Sequence, residues 1–201
     1  MIRRFALPVL IALAAACTPD ATVLSPSGYS GLELDTPVEM PDLTFTDTEG
    51  NPFNLREGTA GKTTLLFFGY TSCPDICPVH LANIAAVLGK MTDEVQREIK
   101  VVFVTTDPAR DTLPRLRQWV KQFDPNFIGL TGPDSMIVAA ERALGVAPAV
   151  VDSGRGANYL VQHSSAVIAF TRDGMARVHY PFGTRQRDWG RDLPRLVEQG
   201  E

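Results

Sequence analysis

Cys73 and Cys77 form a C-x-x-x-C pair, and with Cys17 and three histidines (His80, His163, His179) they carry most of the reactive chemistry in 201 residues. If a helix begins at or just before Cys73, positions i and i+4 share one face, and four steps of 1.5 Å set the two Cα atoms about 6 Å apart. That separation allows a disulfide, and equally lets both sulfurs hold one soft metal ion. A helix N-terminus lowers thiol pKa, which would make thiolates accessible near neutrality. In an oxidising compartment the ordinary use of two cysteines is a structural disulfide. Closing so short a loop gains little entropy, however, and the pair follows an apolar run directly, so chemistry is favoured over stapling.

Two thiolates select a metal poorly, so a third ligand is expected. His163 lies at the end of an expected strand. His80 lies three residues after Cys77, near the same helical face. A lone histidine is more often a surface or core residue than a ligand, and His80 is read so; for His163 spacing leaves the question open. His179 alternates within a strand and has no partner signal. Asp75, between the cysteines, is most simply a helix cap.

These residues need elements to position them. Residues 63–70 (TTLLFFGY) and 100–106 (KVVFVTT) read as strands buried on both faces, and residues 42–46 as a short strand followed by a turn. Leu81, Ile84, Ala85 and Leu88 mark the core stripe of a helix after Cys77. Leu113, Leu116, Val120 and Phe123 mark a second, with Thr112 as N-cap and Pro114 in its first turn. Residues 127–130 read as a strand and 133–144 as a helix stopped by Gly145. Residues 148–158 lack a period and read as a mobile loop. Residues 159–171 and 175–181 are β-rich around an Arg172-Asp173-Gly174 turn. The tail, 184–199, is helical in character and interrupted near Pro194. Alternating β and α units predict an α/β fold with a central mixed sheet, helices on its faces and a β-hairpin near the C-terminus. In such sheets the working groups gather where a central strand runs into the next helix, which is where Cys73 and Cys77 fall.

Residues 1–17 (MIRRFALPVLIALAAAC) have a charged start, an apolar stretch too short to span a bilayer and a small-residue end, so they read as a secretory leader. Ala14-Ala15-Ala16-Cys17 makes Cys17 a lipidation candidate, which would use the odd cysteine; simple cleavage after Ala16 and an uncleaved anchor are the alternatives. Residues 18–36, rich in Thr, Ser, Pro and Gly, read as a flexible tether, and residues 37–201 as one domain. At that size roughly 70% of the unfolded surface is buried, and no disulfide is needed to hold a core. Composition is ordinary for a globular chain, with 44% hydrophobic and 21% charged residues. Net charge is −4, and falls to −6 when Arg3 and Arg4 leave with the leader. Such a chain lacks the positive field that nucleic-acid binding requires, and any membrane attachment must come from the N-terminal anchor.

Four motifs in order, FGYTSCPDICP (68–78), TDPARDT (106–112), FIGLTG (127–132) and YLVQHSS (159–165), resemble those of the Sco/SenC copper-chaperone family over roughly residues 38–198. The resemblance implies a thioredoxin-like fold and copper, as Cu(I) or Cu(II), bound by Cys73, Cys77 and His163; it selects His163 over His80. It also implies delivery of copper, or of reducing equivalents, to the cytochrome c oxidase subunit that carries the dinuclear copper (CuA) site. Other copper chaperones or thiol-disulfide reductants would be further partners. On this reading the protein is a metallochaperone rather than an enzyme. The competing readings are a thiol-disulfide oxidoreductase that uses Cys73 and Cys77 on a copper apoprotein, and a thiol peroxidase. Asp107 and Arg110, after a buried strand, have two readings, a rim that contacts the partner or orients the site and plain helix-capping and loop charges, and the second is preferred.

Overall fold

Two seven-residue apolar strands form the centre of the structure, a computed structural model that describes residues 24–199. In chain order the elements are β1 (Leu32–Glu39), β2 (Thr44–Asp47), β3 (Pro52–Asn54), α1 (Leu55–Thr59), β4 (Thr63–Gly69), α2 (Ile76–Leu88), α3 (Asp93–Arg97), β5 (Ile99–Thr105), α4 (Leu113–Lys121), β6 (Ile128–Thr131), α5 (Asp134–Ala143), β7 (Val150–Asp152), a 3-10 segment (Ser153–Asn158), β8 (Leu160–Gln162), β9 (Val167–Phe170), β10 (Met175–Tyr180) and α6 (Gln186–Glu198). The main sheet has the order β1-β10-β9-β4-β5-β6-β2-β3, and β7 pairs with β8 in a separate small sheet. Strands β4, β5 and β6 are parallel, whereas β9, β10 and β1 add antiparallel on one side and β2 and β3 on the other. This is the expected α/β architecture with a mixed central sheet, and β9–β10 supply the expected hairpin.

The uninterrupted apolar runs follow from burial on both faces. Alternate side chains of each strand enter different cores. Leu65, Phe67, Val101 and Phe103 face Leu81, Ile84, Leu116, Val120, Trp189 and Leu193, so α2, α4 and α6 cover that side. Leu66, Phe68, Val102 and Val104 face Leu55, Ile137, Ala140 and Leu144, so α1 and α5 cover the other. Parallel pairing from Thr63↔Ile99 to Gly69↔Thr105 brings the ends of β4 and β5 level, and the loops that leave them lie side by side.

Three expectations change. The tether expected over residues 18–36 overlaps the folded body, because β1 starts at Leu32 and pairs with β10. Before it, Tyr29 is buried, its hydroxyl donates to Gln199 Oε1 at 2.6 Å, and the Arg195 guanidinium sits 4.6 Å from its ring centroid. The loop expected over 148–158 contains β7 and the 3-10 segment, with Asp152 accepting from the Gly154 N–H at 3.2 Å. Helix α6 runs through Pro194 without a break, because the apolar residues Trp189, Leu193 and Leu196 on its inner face bury it against the sheet. The leader and Cys17 lie outside the described residues. Within the described residues no helix is long and apolar enough to cross a membrane.

The packing of Tyr29 generates a test. A chain that starts at residue 37 loses this side chain and the first five of the eight residues of β1. It should be less stable than one that starts at residue 24 by about 3 kcal/mol, comparable to deleting a buried aromatic, as read by urea unfolding.

Candidate metal centre

Strand β4 ends at Gly69, and Cys73 follows four residues later, outside α2 rather than within it. Pro74 explains the difference from the expected shared helical face, since a residue before proline is disfavoured in helical conformation. Asp75 is the N-cap, and its carboxylate accepts from the Ile76 N–H at 2.6 Å. The sulfur of Cys73 then behaves as a second cap, accepting from the Cys77 N–H at 3.4 Å. Cys77 is in the first turn of α2 and fully buried. A Cβ on Gly69 would lie 2.7 Å from Cys77 Sγ and 2.8 Å from the Phe103 ring, so only glycine leaves space for that sulfur above the end of β4.

The turn between Gly69 and Cys73 is fixed from the β5 side. Asp111 is buried and accepts from the Thr71 N–H at 2.9 Å, the Thr71 hydroxyl at 2.5 Å and the Thr105 hydroxyl at 2.6 Å. Arg115 closes the same turn from outside, donating to the Thr71 hydroxyl at 2.7 Å and the Ser72 hydroxyl at 2.8 Å. Sequence reasoning missed Asp111. Its signal was a carboxylate in the loop after a buried strand, where this class of sheet gathers its functional groups.

His163 arrives from the segment between β8 and β9. Its Nε2 lies 3.5 Å from Cys77 Sγ. Its Nδ1 lies 2.8 Å from the Ser164 carbonyl, which can only accept, so in the neutral ring the proton is on Nδ1 and the Nε2 lone pair faces the sulfurs. Tyr70 and Phe67 meet the imidazole edge-on, with centroids 5.6 and 5.9 Å away. Cys73, Cys77 and His163 place their three ligand atoms within 4.8 Å of one another, forming the one such group among the described residues.

His80 has a different place. It is buried in the core against Phe67 and Phe182, and its Nε2 donates to the Ser165 carbonyl at 2.9 Å. Burial lowers its pKa, which keeps the ring neutral. His179 lies on β10 away from the sulfurs, its Nε2 buried without a hydrogen-bond partner.

The two thiols are both free and differ sharply. A hydrogen bond from the Cys77 thiol, then the adjacent His163 ring and N–H groups of the α2 N-terminus, holds Cys73 down at about 4 despite its burial. Burial, reinforced by the neighbouring Cys73 sulfur, pushes the Cys77 thiol up. At neutral pH the reduced pair is therefore one thiolate and one thiol. With an imidazole it forms a soft set that suits Cu(I) and, through the nitrogen, also accommodates Cu(II).

A family model described as SCO1/SenC matches residues 33–198. A relative from Stutzerimonas stutzeri, described as a putative copper-binding protein, is 31% identical over 193 residues, 94% of each chain. Apo Sco1 of Thermus thermophilus superposes with a TM-score of 0.75 at 29% identity, covering 84% of this chain and 97% of that one. Copper-bound ScoI of Bradyrhizobium japonicum superposes with a TM-score of 0.69 at 28% identity, covering 81% and 98%. The thioredoxin-like expectation for the fold is met in these structures.

Two outcomes follow from the geometry. Limiting iodoacetamide at pH 6 should label Cys73 at least about tenfold faster than Cys77, since the thiolate is the reactive form; peptide mass spectrometry reads the ratio. Asp111→Ala leaves three donors at the cysteine turn without their acceptor. It should cost about 3 kcal/mol of stability in urea unfolding.

Proposed function

This chain belongs to the SCO1/SenC family, and from that membership we propose that it is an extracytoplasmic copper metallochaperone. It carries one copper ion on Cys73, Cys77 and His163 and supports assembly of the CuA site of cytochrome c oxidase. The observation that carries this reading is the convergence of two sulfurs and one imidazole nitrogen, from segments 86 residues apart, within 4.8 Å. The donor chemistry fits the cargo, because thiolates favour Cu(I) and the third ligand widens the range to Cu(II). Cys73 and Cys77 are both buried and His163 is only half-buried, so a partner's ligands would meet the imidazole first. The Stutzerimonas relative and the copper-bound Bradyrhizobium structure support the choice of metal. The leader and its Cys17 support attachment to the outer side of the cytoplasmic membrane through a lipid.

A second reading rests on the unequal thiols. As a reductase, the Cys73 thiolate would attack a partner's disulfide and release one of its sulfurs as a thiolate. Cys77, after losing its proton, would then displace the second. Two electrons pass to the partner, and Cys73–Cys77 becomes a disulfide. Oxidation of this pair removes both sulfur ligands, so copper loading and reductase turnover exclude each other in a single molecule.

The reduced full chain should bind one copper ion. Cys73→Ser or Cys77→Ser should abolish tight binding, because a hydroxyl is a poor ligand for Cu(I). Oxidising the chain should block loading and mild reductant should restore it. Equilibrium competition against a Cu(I) chelator measures this; one equivalent held at unchanged affinity by Cys77→Ser would reject the assignment. For attachment, mass spectrometry of the mature N-terminus should find lipid on Cys17, and an unmodified Cys17 or a retained Met1 would reject it.

A further inference from the structure

We infer that Asp107, Arg110 and Tyr159 form a clamp that keeps His163 within reach of the sulfurs, so that it governs retention of Cu(II) and leaves retention of Cu(I) to the cysteines. This rests on the copper reading above and extends it to three positioning residues that touch no copper ligand in sequence.

The need for a clamp follows from topology. Cys73 and Cys77 are joined to the end of β4, in the middle of the sheet. His163 instead follows β8, a three-residue strand that pairs only with β7, outside the main sheet. The ladder that holds β9 begins only at Val167. Backbone pairing in the central sheet therefore leaves His163 to be placed by side chains.

Two sets of contacts do this. After His163, the Ser165 carbonyl accepts from His80, a residue of the helix that carries Cys77. Before it, Tyr159 is gripped at three points. Its hydroxyl donates to Asp107 Oδ1 at 2.7 Å, its carbonyl accepts from Arg110 Nη1 at 3.0 Å, and the Arg110 guanidinium stacks on its ring with 3.4 Å to the centroid. An ion pair between Asp107 and Arg110 Nε closes the triad. Asp107 is buried, and its N–H donates to the Thr105 hydroxyl at 3.0 Å. The preceding Thr106 N–H donates to the Gly69 carbonyl at 2.6 Å. The clamp is thus anchored to the end of the same strand that leads to the cysteines. It couples the two limbs of the site across the loop after β5.

The Arg110 side chain is oriented by Tyr159 and Asp107, and its guanidinium lies 5.8 Å from the Tyr70 ring, which in turn meets the His163 imidazole edge-on.

The differential effect is chemical. Two thiolates satisfy Cu(I), whereas Cu(II) calls on the nitrogen donor. When His163 is in place for only a fraction of the time, apparent Cu(II) affinity falls by that fraction, and Cu(I) affinity is little changed.

The test uses the full reduced chain, Arg110→Lys, which keeps the charge but loses the planar fork and the stack, and Tyr159→Phe, which removes one hydroxyl and keeps the ring. Cu(I) affinity is read by chelator competition. Cu(II) affinity is read by thiolate charge-transfer absorption, and its ligation by nitrogen hyperfine coupling in electron paramagnetic resonance. Each variant should lose about tenfold or more in Cu(II) affinity, with weakened nitrogen coupling, as expected when His163 is in place about a tenth of the time or less. Cu(I) affinity should stay within about twofold of wild type, because the thiolate ligands are unchanged. Added imidazole should restore the nitrogen signal in Arg110→Lys. Wild-type behaviour of both variants toward Cu(II), or a parallel fall in Cu(I) and Cu(II), overturns the clamp while the copper reading stands. A wild-type chain that takes up no copper overturns the copper reading and the clamp with it.

Discussion

One buried carboxylate sets the geometry of this molecule's reactive end. Asp111 accepts three hydrogen bonds, two of them from Thr71 and one from Thr105, and so joins the turn leaving β4 to the strand end of β5. Without that tie, the three residues between Gly69 and Cys73 would be held only from outside, by Arg115. With it, the Cys73 sulfur reaches the N-terminus of α2, Pro74 keeps it out of the helix, and the Cys77 sulfur falls over Gly69. Charge-assisted hydrogen bonds of this kind are worth more inside a protein than in water, and a partner removed from them leaves the rest stranded.

The site works through inequality. One sulfur is stabilised as a thiolate by donors around it, and the other is held as a thiol by burial. His163 faces them with the nitrogen that its hydrogen bond to Ser164 leaves free. Reactivity and metal affinity thus come from the same arrangement, which is why copper carriage and thiol exchange both suit this pair. The cargo decides between them, because a coordinated thiolate is withdrawn from exchange.

Much of this was legible in the sequence. Continuous apolar runs marked β4 and β5, the i, i+3, i+4, i+7 stripe marked α2, and C-x-x-x-C after a buried strand marked the reactive turn. The convergence of Cys77 with His163 was not legible from spacing, since 86 residues separate them, and it entered through the four-motif resemblance. Strand β1 was hidden because it lies at the sheet edge, contains Pro37 and has no buried residue to give a period. Asp107 and Arg110 read as loop charges because their partner, Tyr159, is 52 and 49 residues away. His80 is a core histidine with a satisfied nitrogen, as expected of a lone histidine outside the ligand set. Tertiary hydrogen bonds leave little local pattern, and they account for most of what remained hidden.

The central claim is that two sulfurs and one imidazole hold a single copper. X-ray absorption at the copper edge on the full chain, loaded with one equivalent of Cu(I) or Cu(II), tests it most directly. Two sulfur neighbours in both oxidation states, with the outer-ring scattering of one imidazole in the Cu(II) form that disappears in His163→Ala, is the predicted result. A copper shell made only of nitrogen and oxygen, or an imidazole contribution unchanged in His163→Ala, would contradict it.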